Sequence, residues 1–133
     1  MERDIINKNF RIFKLSENFE VWSGKNSAAN DLLTFKYTKS YDLWFHVRGT
    51  SGSHTVLKIA EGYNESIPKE IIKQAAEICA YYSKAKNAKN VKVAYTEGKN
   101  VTKYKGAKIG SVVIKNEKII KAEPKLPKLQ NSL

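Results

Sequence analysis

Apolar and polar residues alternate in Phe10-Arg11-Ile12-Phe13-Lys14-Leu15 and again in Phe19-Glu20-Val21-Trp22-Ser23, on either side of the polar Ser16-Glu17-Asn18. A period of two around a short polar loop predicts a β-hairpin. Gly24-Lys25-Asn26 then turns the chain, and Asn26 or Ser27 is placed to cap a short helix ending near Leu33 by accepting a bond from a free backbone N–H. Residues 42–48, Asp-Leu-Trp-Phe-His-Val-Arg, predict a strand, Gly49-Thr50-Ser51-Gly52-Ser53 a tight loop, and residues 53–59 the returning strand with His54, Val56 and Lys58 on one face. Pro68 suits a first helical turn, and Ile71, Ile72, Ala75, Ile78, Cys79 and Tyr82 recur at spacings of three and four. That stripe predicts a long helix ending near Lys86-Asn87.

Beyond it the period returns to two at residues 91–96, 111–115 and 118–121, separated by a connection rich in glycine and lysine. Strands interrupted by two helices, without βαβ spacing, predict an α+β fold. The expected architecture is a single domain over residues 1–122, a largely antiparallel sheet with one long and one short helix. Residues 123–133, with Pro124 and Pro127, are expected to form a flexible basic tail.

Composition narrows the function. With 133 residues and 41% hydrophobic content the chain can bury an ordinary core, so disorder of the whole is excluded. No apolar run reaches the ~20 residues of a membrane span. The charged Met1-Glu2-Arg3-Asp4 leads into no apolar stretch, so no secretory signal is expected. Cys79 is the single cysteine, which excludes an internal disulfide and a cysteine-based zinc cluster within one chain. A cytoplasmic protein without membrane attachment, metal or other cofactor is expected.

The formal net charge is +11, and its distribution is uneven. Through Ser83 there are 11 Lys and Arg against 10 Asp and Glu, a net of +1; from Lys84 onward 13 Lys face Glu97, Glu117 and Glu123, a net of +10. Such asymmetry is the footprint of a phosphate-rich partner, or of a surface generally decorated with lysine.

Three constellations carry candidate chemistry. Gly24-Lys25-Asn26-Ser27 with Asn30-Asp31 reads either as a phosphate-binding turn or as a plain turn and helix cap; the second glycine and Lys-Ser/Thr pair of a Walker loop are missing. Asp42, His46 and His54 are the residue types of an acid–base or metal site, but no nucleophile accompanies them. Tyr81-Tyr82-Ser83-Lys84-Ala85-Lys86 and Lys99-Asn100-Val101-Thr102-Lys103-Tyr104-Lys105-Gly106-Ala107-Lys108 interleave lysines, which neutralise phosphates, with tyrosines, which stack on unpaired bases.

Gly24-Lys25-Asn26 with Asn30-Asp31, Asp42-Leu43-Trp44-Phe45-His46, Gly52-Ser53-His54, Ala80-Tyr81-Tyr82-Ser83-Lys84-Ala85-Lys86-Asn87, and Lys99-Asn100-Val101 with Lys105-Gly106-Ala107 and Gly110 stand in that order along the chain. Together they resemble the NFACT-R domain, the RNA-binding module of RqcH- and NEMF-type ribosome quality-control factors. The resemblance covers about Phe19 to Ile120; Ala29 stands where the family commonly has Gln, and Arg48-Gly49-Thr50-Ser51 replaces a segment that often carries an acidic residue and Pro. It implies an RNA partner, tRNA or large-subunit rRNA, with the ribosome or a protein supplying further modules as possible companions. Lys25, Asn26, His46, Arg48, His54, Lys84, Lys86, Lys103, Lys105 and Lys108 are then the candidate RNA contacts. The competing readings are an adaptor that recruits an RNA-modifying or ribosome-associated partner, and an RNA-processing enzyme centred on His46 and His54.

Overall fold

A computed structural model describes residues 1–103, 106, 108–109 and 111–128. Phe10–Ser16 (β1) and Phe19–Gly24 (β2) form the expected hairpin, with Phe10 opposite Gly24 and Ser16 opposite Phe19. Leu43–Val47 (β3) and Thr55–Ile59 (β4) form a second antiparallel pair, and Val91–Glu97 (β5) and Lys118–Ala122 (β8) a third. These six strands make one sheet in the order β1-β2-β4-β3-β5-β8, with each neighbouring pair antiparallel. The fold is α+β, as its periodicity implies.

Strand parity divides the sheet into two faces. Leu43, Phe45 and Val47 of β3 point to one side, where they meet Val21, Leu57 and Val93. Lys69–Tyr81 (α3) covers that side with Ala75, Ala76, Ile78, Cys79 and Ala80. Trp44 points to the opposite side and packs with Phe10, Ala29, Leu33 and Val56. That side is covered by Ser27–Leu32 (α2), which runs on into one π-helical turn, Leu33–Tyr37. A two-strand ribbon, Val101–Thr102 (β6) and Val113–Ile114 (β7), covers the rest through Val101, Val112 and Ile114.

Several details differ from the sequence expectation. A third helix, Glu2–Asn9 (α1), precedes the sheet; it buries no residue completely, so it shows no apolar stripe for periodicity to detect. α3 ends at Tyr81 rather than near Lys86-Asn87, because the chain leaves the helix to pair with the 51–53 loop. Ser53 N donates to Tyr82 O at 3.0 Å, Lys84 N donates to Ser51 O at 3.1 Å, and Gly52 and Ser83 form an isolated bridge. Gly52 is needed there, since a Cβ would come within 2.7 Å of Ser83 Cβ. The strand expected at residues 111–115 shrinks to β7, and β6 arises inside the segment read as a connection.

The start of the segment expected to be a flexible tail is docked on the sheet's α3 side. Leu126 packs against the core there, and Lys125 N donates to Glu77 O at 3.4 Å. Residues 129–133 lie outside the described residues.

Candidate nucleic-acid interface

The motif residues first build a scaffold. Gly24 lies so close to α2 that a Cβ would fall on the Asn30 side chain and backbone, so only glycine fits. Asn30, 8% exposed, accepts from His54 N at 3.0 Å through its side-chain oxygen. His54, 2% exposed, has Nδ1 2.8 Å from Thr34 Oγ1, and Trp44 Nε1 donates to the same hydroxyl at 3.0 Å. Gly24, Asn30, Thr34, Trp44 and His54 thus belong to one buried network that clamps α2 to β2, β3 and β4.

Asp42 holds the other end of the same face. Fully buried, it accepts from Lys39 N at 2.8 Å, Ile59 N at 3.0 Å and the Lys58 ammonium at 2.6 Å. Lys58 also donates to the Tyr37 carbonyl, tying the π-turn to the strand. The carboxylate is therefore engaged in structure, and the grouping of Asp42 with the two histidines does not form.

On one side of the Ser51–Ser53 loop lies an open cleft of about 490 Å³. Arg11, Lys25, Lys84 and Lys86 line it together with Ser51, Gly52, Ser53 and Ser83. The Arg11 guanidinium carbon sits 4.1 Å from the centre of the Tyr82 ring, and Lys86 Nζ 4.2 Å from that of Tyr81. These rings hold the cations by their π faces and leave hydrogen-bond donors for a ligand. Among the described residues none of the four cations is ion-paired, whereas Arg48, Lys58, Lys99, Lys103 and Lys125 all are. No acidic side chain is among the described residues that line the cleft. Such a surface offers positive charge with no internal neutralisation.

On the other side of the loop is a narrower cavity of about 310 Å³, between β3, β5 and the ribbon. Trp44, His46, His54 and Ala94 form its floor, Ser111, Val112 and Ile114 the ribbon wall, and Arg48 and Glu117 its rim. The His46 ring stacks on Trp44 at a centroid distance of 5.9 Å and stands edge-on to His54 at 5.6 Å. Burial pushes the His46 pKa below its ordinary 6.5, against the opposing effect of backbone hydrogen bonds to Gly52 and Val47. Burial thus favours the uncharged imidazole. Arg48 Nη1 and Glu117 Oε2 are 2.8 Å apart across the rim.

The ten candidate contacts therefore separate. Lys25, Asn26, Lys84 and Lys86 come together at the basic cleft, although they arise from motifs far apart in sequence. Asn26 is also the helix cap, since its side-chain oxygen accepts from Ala29 N at 2.8 Å. His46, Arg48 and His54 meet at the second cavity, where His54 is 2% exposed and its Nδ1 is engaged with Thr34. Lys103 pairs with Asp31 at 2.6 Å and lies at neither site, while Lys108 is exposed. Lys105 lies outside the described residues. Arg11 was not among the candidates: it sits within an alternating strand, where nothing local marks it, and only its approach to Tyr82 brings it to the cleft. Among the described residues no group of three or more His, Cys, Asp or Glu is placed to hold a metal, and no helix is long and apolar enough to cross a membrane.

The Rqc2 homolog RqcH of Streptococcus suis is 38% identical over 108 residues, covering 81% of this chain and 19% of the relative. The Rqc2 homolog RqcH of Bacillus subtilis is 32% identical over 112 residues, covering 84% and 19%. The chain thus spans about a fifth of the length of these curated relatives. The solved C-terminal part of a fibronectin/fibrinogen-binding protein from Streptococcus suis superposes with a TM-score of 0.77 at 34% identity, covering 88% of this chain and 45% of that one. The family described as the NFACT protein RNA binding domain matches residues 9–116, which take in the basic cleft, the buried network and all of the second cavity's described lining except Glu117, and the chain belongs to that family.

Proposed function

We propose that this protein is a binding module for structured RNA, tRNA or large-subunit rRNA, serving ribosome-associated quality control in the cytoplasm without catalysing a reaction. The observation that carries the reading is the basic cleft: Arg11, Lys25, Lys84 and Lys86, from three separate stretches of chain, converge around an acid-free surface with no ion-pair partner of their own among the described residues. RNA phosphates seated there would displace counterions, so affinity falls with salt. Family membership supports RNA as the ligand, and the kinship with RqcH proteins supports the link to the ribosome.

The test separates the cleft from charge in general. Lys84→Glu/Lys86→Glu reverses two cleft charges, and Lys118→Glu/Lys121→Glu makes the same change on the edge strand β8. Binding of tRNA and of large-subunit rRNA fragments is measured by filter retention across a salt series. The cleft variant should lose about tenfold or more in affinity and show a shallower salt slope, by about 0.7–0.9 for each phosphate contact removed. The edge variant should stay close to wild type. Equal losses in both variants would mean that net charge, and not this cleft, attracts RNA.

A further inference from the structure

The second cavity has the features of a site for a flat heteroaromatic ring. Its volume of about 310 Å³ lies at the lower end of the range of small-ligand sites. The floor carries the stacked Trp44–His46 pair, 18° from parallel, with His54 edge-on to it. Val112 and Ile114 on the ribbon give the opposing wall an apolar surface, and Ser111 adds a hydroxyl. Arg48 and Glu117 close the rim with an exposed ion pair, and these are the two groups that could meet a phosphate and a ring amine.

The position of this cavity relative to the basic cleft identifies the source of the ring. Gly52 and Ser53 line the cleft and His54, the next residue, lines the cavity, so one three-residue segment separates them. A polyanion lying in the cleft would run beside Gly52 and Ser53, and the next residue, His54, already lines the cavity. A duplex keeps its bases stacked inside, whereas a loop or bulge can turn one out onto an aromatic platform.

We propose that this cavity receives one unpaired nucleobase of the bound RNA, with an adjoining phosphate on Arg48. The inference rests on the RNA-binding reading above and sharpens it: the ligand is RNA with a looped or bulged nucleotide, not plain duplex. Opening the rim exchanges the Arg48–Glu117 pair for an Arg48–phosphate contact and frees the Glu117 carboxylate to accept from an exocyclic amine. The burial that disfavours an imidazolium at His46 suits an uncharged ring stacked beside it.

Two RNAs test this, a hairpin with 2-aminopurine at an unpaired loop position and a blunt duplex of the stem sequence, without a loop, with 2-aminopurine at a paired position. Wild-type protein should quench the loop probe severalfold and leave the stem probe unchanged. Ser111→Trp, which fills the cavity from the half-buried ribbon, should abolish the quenching and weaken loop binding by about 5- to 150-fold, the range of one base–aromatic stack. Arg48→Ala, at an exposed position, provides a second variant if the bulky residue disturbs the ribbon, and should weaken loop binding while leaving stem binding as it was.

A parallel arm uses adenosine monophosphate and follows the ring-proton resonances of His46 and His54. Movement of those resonances by the mononucleotide, lost in Ser111→Trp, together with no RNA binding, would keep the base site and remove the RNA reading. Resonances unmoved by both the mononucleotide and the loop RNA would overturn the base site. Equal binding of loop and stem RNAs with no quenching would overturn it while leaving the basic cleft intact.

Discussion

The α3 face of the sheet is closed by Val21, Phe45, Val47, Leu57 and Val93 against Ala75, Ile78 and Cys79, nearly all of them apolar. The α2 face is covered by fewer apolar groups and holds Asn30, Thr34, Asp42 and His54, all buried and all hydrogen-bonded. The first face is non-directional: apolar area leaves water, and small changes in orientation cost little. Directional bonds specify the second, where each donor must meet its acceptor at a set angle, so α2 and the 51–54 loop are fixed in place. The two candidate sites lie on either side of that loop. Position is therefore set by the polar face, and bulk stability comes largely from the apolar one.

Breaking the polar face should have the larger effect. Asp42→Ala removes the acceptor of two backbone N–H groups and leaves the Lys58 ammonium, 16% exposed, without its carboxylate. Loss of one partner from a buried ion pair costs about 3–5 kcal/mol. Urea unfolding should show that loss in the midpoint with little change in slope. The fraction still folded should bind RNA with wild-type affinity, since Asp42 lies at neither cavity. Reduced affinity at full folding would give Asp42 a part in the interface.

Thr34→Val sharpens the contrast at smaller scale. The hydroxyl accepts from Trp44 and is bonded to His54, so valine of nearly the same shape leaves both rings short of one partner. Leaving a buried donor unsatisfied costs about 1–3 kcal/mol. Ile78→Val on the apolar face trims one methyl and costs about 0.5–1.5 kcal/mol by the usual range for that change. Both should appear in thermal and urea unfolding, but only Thr34→Val should also shift the His46 and His54 ring resonances. A shift of equal size from Ile78→Val would mean that the two faces are not independent.

Much of this could be read in the sequence because it is local. The hairpins at residues 10–24 and 43–59, the apolar stripe of α3 and strand β5 follow from spacing, and the motif blocks mark the chain stretches that meet at the cleft. What could not be read is set by contacts across long separations. Lys103 finds Asp31 72 positions away, a pairing that nothing local in the sequence announces. His54 shows the same limit: nothing around it in sequence says that Asn30 and Thr34 will enclose it. The lysine excess of the second half located a partner class but not a surface, since half of the cleft's cations, Arg11 and Lys25, come from the nearly neutral first half. α1 was missed because periodicity reports burial, and that helix buries nothing completely.

The smallest effect concerns protons, and the two faces should respond to them with opposite sign. Burial lowers the His46 pKa from 6.5, so as pH falls through the region just below that value the unfolded chain binds a proton that the folded chain does not. Stability from this group is complete above pH 6.5 and is lost as pH falls towards the lowered folded value. Glu77, on α3 and 6% exposed, has its pKa raised from 4.5, first by burial and against the attraction of Lys125 and Lys73. The folded chain there takes up its proton first, so the contribution is complete below pH 4.5 and is lost as pH rises through the raised value. Urea midpoints from pH 4 to 7.5 should therefore change differently in the two variants that remove one titratable group each. His46→Gln should flatten the rise of stability between about pH 5 and 7, where an ordinary imidazole titrates. Glu77→Gln should remove the decline that sets in above pH 4.5 and leave the histidine-dependent rise in place. A His46→Gln curve parallel to wild type would show that the imidazole takes up its proton as readily in the folded chain as in the unfolded one, so that packing against Trp44 and the cavity lining leaves its proton affinity unchanged.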